Sequence, residues 1–221
     1  MDCSTRRALN EQFARIAKAT AHPARLELLD LLAQGERPVD ALVRETGQPT
    51  STVSTHLRVL RQARLVETRR EGNQIHYRLA GDEVSCLLAA LRAVAAANLA
   101  EVSEISRDFL EERDALEPVP AADLLERVRD GEVVLVDVRP ATEYRSGHIP
   151  DAVSIPLEEL EERISELPAG TDIVAYCRGP YCVLAAEAVA ILRRKGRRAC
   201  RMADGFPEWR LAGHPVAGAA P

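Results

Sequence analysis

The residues most able to do chemistry sit together in the stretch DIVAYCRGPYCVLAAEAVAILRRKG, where Cys177 follows a short apolar run and stands just ahead of a helical pattern. A thiol between the end of a buried strand and the start of a helix faces successive backbone N–H groups and the positive end of the helix dipole. That arrangement holds an anion and favours the thiolate. Arg178 adds a positive charge beside it, and Gly179, Pro180, Tyr181 and Cys182 complete the loop CRGPYC. The chemistry expected of Cys177 is nucleophilic. Cys182 gives the loop a second thiol, for which two readings stand: a partner that resolves an adduct on Cys177 as a disulfide or polysulfide bridge, or a buried cysteine facing the new helix. Cys200, in the strand-like ACRMA, reads as core, and His148 and His214 are too isolated to suggest a metal.

A second constellation lies in the first half. The helical stretch PTSTVSTHLRVLRQA carries Thr50, Ser51, Thr52, Ser54, Thr55, His56 and Arg58 around an apolar stripe of Val53, Leu57 and Leu60. Small hydroxyls and an imidazole at a helix N-terminus suit close approach to base edges and phosphates. Charge supports this reading: residues 46–79 hold six arginines (Arg58, Arg61, Arg64, Arg69, Arg70, Arg78) against Glu67 and Glu71, a balance of +4. Residues 80–117 hold three arginines against nine acids, a balance of −6. Ordinary solvated surface is the competing reading, and the order of elements weakens it.

That order is helix, helix, turn, helix, hairpin. A leucine-rich helix follows His22-Pro23 and stops at Gly35, a short one carries Val39, Leu42 and Val43 and closes at Gly47, and Thr50 or Ser51 caps the next. LVETRR and QIHYRL form two strands around Glu71-Gly72-Asn73. This is a winged helix-turn-helix, with Arg58 and Arg61 on the reading helix and Arg69 and Arg70 on the wing. One further helix is expected from Asp82 to about Asp114, long enough that its Leu87, Leu88, Leu91, Val94, Ala95 and Leu99 face calls for cover by a second copy of the chain.

After DALEPVPAAD (114–123) the style changes. Compact β runs, VVLVDV (133–138) and DIVAY (172–176), alternate with helical stretches, which implies a parallel sheet covered by helices. The boundary is placed near 117–120, giving a mainly α winged-helix domain over 1–116 and an α/β domain over 117–221. The 221 residues suit two domains at roughly 100–200 residues each. A net charge of −5, from 34 acids against 29 Lys+Arg, would by itself argue against a nucleic-acid partner; the local +4 overrides that average. No apolar run reaches the roughly 18–20 residues of a membrane span, the start MDCSTRRALNEQ is polar, and the five cysteines are odd in number and irregularly spaced. A cytoplasmic protein is expected, with no membrane partner.

Residues 10–80 resemble the ArsR/SmtB family of winged-helix repressors through HPARLELLDLL, VDALVRETGQPTSTVSTHLRVLRQARLV and the GNQIHYRL wing. The resemblance implies a homodimer joined through its terminal helices and bound to a palindromic operator on double-stranded DNA. Arg64 departs from the pattern, which has glycine there. The metal-ligand positions of the family are not matched: RPVDALV has no cysteine, and the long helix lacks paired Asp, His and Glu ligands. Neither a metal nor a cofactor is therefore expected. Cys3 and Cys86 are left as a candidate thiol pair near the dimer helices, against the reading of a frayed terminal cysteine and a buried one.

Residues 118–218 resemble a single-domain rhodanese, through DVRPATEYRSGHIPDAVSIP and GFPEWRLAGHPV. The resemblance implies that Cys177 accepts sulfane sulfur from a donor as a persulfide, cradled by the N–H groups of residues 178–182, and passes it to a thiol acceptor. Asp137, Arg139, Glu143 and His148 match motif positions and read as structural, with Gly147 and Pro150 as turn formers. Asp204 stands where glycine is common. A related phosphatase or arsenate reductase needs an arginine closing a longer loop, and Val183 occupies that place. The combined expectation is a transcriptional regulator whose rhodanese domain senses or transfers sulfane sulfur. A sulfurtransferase that uses the winged helix for dimerisation, and a regulator with an idle rhodanese module, are the alternatives.

Overall fold

A computed structural model describes residues 2–107 and 119–218. The chain forms two compact units, residues 1–88 and 89–221. The division by packing falls inside a helix whose first turns bury Val84 and Leu88 in the first core. The expected module boundary at 116/117 lies outside the described residues.

In the first unit, α1 (Cys3–Thr20), α2 (Pro23–Ala33), α3 (Val39–Thr46) and α4 (Thr50–Gln62) surround one core, joined by β1 (Arg37–Pro38) and the hairpin β2 (Val66–Glu71) and β3 (Gln74–Leu79). Val53, Leu57 and Leu60, at i, i+4 and i+7, are all fully buried on α4. Burial of this completeness contributes about 1.5–3 kcal/mol per side chain. It also fixes the rotation of α4, so that the hydroxyl-bearing positions face outward. Gly47 ends α3 in the left-handed conformation, φ 63°, and turns the chain toward α4. No side chain caps α4; the carbonyl of Pro49 accepts from Thr52 and Val53 at 2.9 and 3.1 Å, so neither Thr50 nor Ser51 has the capping role expected of it. The three-stranded sheet has order β1-β3-β2, and Glu71 pairs with Gln74 across a two-residue turn.

Arg64 adopts φ 60° between α4 and β2, where the resemblance calls for glycine. A side chain in the left-handed region costs about 1 kcal/mol. Arg64→Gly is accordingly expected to stabilise the first unit by up to about 1 kcal/mol in urea unfolding followed by far-UV circular dichroism. A loss of stability would show that the side chain makes a contact outweighing its backbone cost.

The long helix expected over 82–114 is broken. Helix α5 runs Asp82–Asn98 and α6 runs Ala100–Ser106, with their axes 100° apart. Leu99 between them is extended (φ −113°, ψ 107°), and the Asn98 amide donates to the Val94 carbonyl at 2.8 Å. An amide that back-bonds to the preceding turn competes with the helical ladder, which a reading of apolar spacing does not register. The expected portion beyond Arg107 lies outside the described residues. No single helix among the described residues is long and apolar enough to cross a membrane.

The second unit is built on a parallel sheet of order β5-β4-β6-β7: β4 (Val133–Asp137), β5 (Val153–Ser154), β6 (Asp172–Tyr176) and β7 (Ala199–Arg201). Helices α7 (Ala121–Arg129), α8 (Ala141–Ser146), α9 (Leu160–Arg163), α10 (Val183–Arg194) and α11 (Phe206–Leu211) surround it. Strands buried on both faces read as continuous apolar runs, and here successive residues feed opposite cores. Ile173, Ala175 and Cys177 join one face with Ala185, Ala188, Val189 and Leu192 of α10. Val174 and Tyr176 join the other with Leu124, Phe206 and Trp209. The two-residue period of β6 therefore sends the Cys177 side chain beneath α10.

Candidate functional site

Two sites were expected, one on each unit. On α4, Thr50, Ser51, Ser54, Thr55, Arg58 and Arg61 are exposed, while Thr52 and His56 are half-buried. The Thr55 hydroxyl already donates to the Ser51 carbonyl at 2.9 Å. His56 turns toward His22, with ring centroids 4.5 Å apart, and its Nδ1 is buried without a hydrogen-bond partner. Burial, helped by His22 and Arg25, lowers its pKa and disfavours the charged ring. Two hydrogen-bonding groups on the expected reading face are thus engaged or turned inward.

On the wing, Arg69 is held by Glu36 at 2.6 Å and by Glu71 at 2.9 Å, and Arg78 pairs with Glu67 at 2.7 Å. Arg70 bonds the Gly72 carbonyl at 3.1 Å. The +4 balance is therefore partly met within the hairpin. Arg58 and Arg61 on α4 are exposed, as is Arg64. Elsewhere in this unit Cys3 and Cys86 are both exposed and unbridged.

In the second unit, the loop from Cys177 to Cys182 closes β6 onto α10 at the C-terminal edge of the sheet, the edge at which α/β folds bind ligands. Cys177 is only 3% exposed. Its Sγ lies 3.6 Å from the Cys182 carbonyl and 3.9 Å from that of Gly179. Cys182 is the N-cap of the 12-residue α10 and is half-buried. Both carbonyl contacts are hydrogen bonds from the Cys177 thiol, and the shorter holds it against Cys182. The N–H groups of Gly179 and Ala185 face Cys177, and those of Arg178 and Leu184 face Cys182. One backbone cradle serves two sulfurs.

The electrostatics divide them. Burial pushes the Cys177 thiol well above its ordinary value, and the neighbouring Cys182 pushes it the same way. The hydrogen bond from Cys177 brings Cys182 down from 9.0 to about 7, against its own burial and with help from the Arg178 and Leu184 N–H groups. The direction at Cys177 runs against the thiolate that the cradle was expected to favour there. The helix field and the loop N–H groups act, but a group sealed under α10 loses more by desolvation than they return.

Alkylation of Cys182 should therefore follow a midpoint near pH 7, with the thiolate present above it and lost as pH falls through it. Cys177→Ala, which removes the donated hydrogen bond, is expected to move that midpoint toward 9.0, whereas Cys177→Ser keeps a donor and leaves it low. Rates of iodoacetamide labelling against pH decide this; an unchanged midpoint in Cys177→Ala would remove Cys177 as the cause.

Arg178 also differs from expectation. Its guanidinium binds both Glu143 oxygens, at 2.6–3.2 Å, and Glu143 is 1% exposed. Most of its charge is met there, and it reaches the thiols only as the weakest influence on Cys182. Arg178 and Glu143 act as a clamp on the loop. Gly179 and Pro180 are half-buried, while Tyr181 is 43% exposed at the loop's outer edge.

Beneath the loop the motif residues form a buried knot. Asp137 and Arg139 are both fully buried and paired at 2.6 Å, and Arg139 also donates to the Gly147 carbonyl at 2.8 Å. The Arg139 guanidinium stands 4.3 Å from the centre of the Phe206 ring, and the Phe206 N–H donates to the Cys177 carbonyl at 3.0 Å. The motif residues thus reach the nucleophile's backbone through one aromatic residue. His148 donates to the Tyr144 carbonyl at 2.8 Å and stacks on the Tyr144 ring, a structural role.

Sequence reasoning missed Gly205 and Glu208. A Cβ on Gly205 would stand 2.2 Å from the Gly179 nitrogen and 2.6 Å from the Arg178 carbonyl carbon, so two backbones cross there. Asp204, singled out for its place in MADG, is exposed; the glycine the packing needs is the next residue. Glu208 accepts from the Gly205 N–H at 3.2 Å, its carboxylate raised in pKa chiefly by burial. The spacing in GFPEW held the signal: a glycine three residues before a glutamate at a helix start.

Residues 120–212 match the rhodanese-like domain, and residues 22–68 match the bacterial regulatory protein, arsR family. Over 214 residues, 97% of this chain and 94% of the relative, the protein is 50% identical to the HTH-type transcriptional regulator Rv0324 of Mycobacterium tuberculosis. Over 100 residues, 44% of this chain and 92% of the relative, it is 34% identical to a sulfurtransferase of Allochromatium vinosum. Among solved structures, the homodimeric winged helix-turn-helix DNA-binding domain Mb0332 of Mycobacterium bovis is 44% identical, covering 45% of this chain and 92% of that one, with a TM-score of 0.42. The chain belongs to the ArsR-type helix-turn-helix transcriptional regulators, in a form that carries a C-terminal rhodanese-like domain.

Proposed function

We propose that this regulator is a cytoplasmic, homodimeric repressor that takes up sulfane sulfur in the Cys177–Cys182 loop and changes its affinity for operator DNA as a result. The observation that carries the reading is the pair of free thiols in one loop at the start of α10, with Sγ of Cys177 3.6 Å from the Cys182 carbonyl. Such a cradle stabilises the anionic sulfur that attacks a donor. DNA recognition is assigned to the outward positions of α4, namely Thr50, Ser51, Thr52, Ser54, Thr55, Arg58 and Arg61 with His56 behind them, and to Arg69 and Arg70 on the wing. Dimerisation is supported by large apolar side chains left in solvent on three helices: Phe13 on α1, Val94 on α5 and Ile105 on α6, each more than 60% exposed. Cys3 and Cys86 are a secondary thiol pair in this reading, open to oxidants through their exposure.

The test uses a duplex selected by the reduced protein from a randomised pool. Its affinity is measured for reduced protein, for protein treated with a low-molecular-weight persulfide, and for the double variant Cys177→Ser/Cys182→Ser. A change of tenfold or more on treatment, absent in the double variant, is the expected result. Equal affinity in all three samples sinks the sensing reading. Arg58→Ala should weaken binding to all duplexes alike and reduce the dependence on salt by about one counterion.

A further inference from the structure

We propose that the Cys177–Cys182 pair reduces sulfane sulfur to sulfide, with Cys182 attacking the donor and Cys177 resolving the adduct. This rests on the sulfane-sulfur uptake proposed above, but it assigns a different reaction from sulfur transfer and inverts the roles of the two cysteines.

The geometry carries the assignment. Cys182 is the more open of the two, at the N-cap of α10, whereas Cys177 is 3% exposed and lies behind it against the core. A donor arriving from solvent therefore meets Cys182 first. The Cys177 thiol donates to the Cys182 carbonyl at 3.6 Å, so the second thiol already lies against the residue whose sulfur is to be attacked. Gly205 and the Arg178–Glu143 clamp hold the loop in this closed form. The directions of the two pKa shifts agree with this order: Cys182 is lowered and Cys177 is raised.

The reaction has two steps. In the first, the Cys182 thiolate attacks the terminal sulfur of a low-molecular-weight persulfide, R–S–SH. The donor S–S bond breaks, R–S⁻ departs, and Cys182 carries –S–SH. In the second, the Cys177 sulfur attacks Sγ of Cys182. A Cys177–Cys182 disulfide forms, the bond to the outer sulfur breaks, and the outer sulfur leaves as hydrosulfide, taking the proton that Cys177 gives up. One sulfane sulfur is reduced to H₂S, and two thiols are oxidised to one disulfide. A dithiol reductant returns the pair to the starting state by thiol–disulfide exchange. The oxidised loop and the reduced loop are then two stable chemical states of one site.

The intact protein, treated anaerobically with glutathione persulfide and freed of excess reagent, is analysed by mass spectrometry with sulfide measured alongside. The expected wild-type product has lost about 2 Da, has a Cys177–Cys182 disulfide in its peptide map and has released about one sulfide per chain. Cys177→Ser should stop at a gain of about 32 Da on Cys182 and release no sulfide beyond a no-protein control. Cys182→Ser should load at pH 7 at least fivefold more slowly than wild type. A wild-type protein that retains a stable persulfide on Cys177 without sulfide release overturns the inference and leaves sulfane uptake standing. No change of mass in any sample overturns the uptake itself. Wild-type loading in Cys182→Ser overturns the inverted roles.

Discussion

Asp137→Ala is expected to cost the second unit about 3–5 kcal/mol, because it leaves the Arg139 guanidinium charged, buried and without its carboxylate. Both side chains are fully buried and the pair is made by several hydrogen bonds, at 2.6–3.1 Å. Burial alone would lower the pKa of Arg139; the bonds and charge of Asp137 more than reverse it. The Gly147 carbonyl and the Phe206 and Tyr176 rings beside it carry no formal charge to replace the carboxylate. Trp209, the one tryptophan of the chain, is fully buried in this unit and reports on it alone. At about 1–3 kcal/mol/M for urea, the midpoint of Trp209 fluorescence should fall by more than 1 M, or the unit should be unfolded without denaturant. An unchanged midpoint would mean that the ion pair contributes nothing net. Asp137→Asn, which keeps an acceptor oxygen, should cost less than the alanine variant.

Gly205→Ala is expected to disrupt the two-thiol cradle more than any loop substitution that leaves both cysteines in place. The new methyl would meet Gly179 and Arg178 main-chain atoms at 2.2–2.6 Å, and main chain cannot swing aside as a flexible side chain would. The Cys177–Cys182 hydrogen bond that sets the Cys182 thiolate runs across this same loop. With the bond lost, the Cys182 midpoint moves from about 7 toward 9.0, and its thiolate fraction at pH 7 falls from about a half to about one in a hundred. A more basic thiolate is intrinsically more nucleophilic, which offsets part of the loss. The net drop in iodoacetamide labelling of Cys182 at pH 7 should be on the order of five- to tenfold. Retained Trp209 burial would show that the unit still folds, and labelling at the wild-type rate would contradict the role given to Gly205.

Much of this was legible in the residues. The Val53, Leu57 and Leu60 stripe set α4 and its outward face, because a helix repeats every 3.6 residues and the apolar side must turn inward. The run DIVAY placed Cys177 at the end of a buried strand, as the structure has it. The broken helix after Asn98 was not legible, since its apolar spacing continues while a single amide competes with the ladder. Nor were the ion pairs on the wing, where Glu36, distant in the chain, holds Arg69.

By themselves, residue order and local periodicity determined the two modules, the reading helix with its basic hairpin, and the cysteine loop between strand and helix. Tertiary structure decided how the surroundings of the two cysteines differ. Ionisation depends on what surrounds a sulfur in three dimensions: the core that desolvates Cys177, the loop carbonyls beside it, and the glycine crossing beneath the loop. Those partners come from separate stretches of the chain, and a linear pattern carries no record of the dielectric they create when they meet.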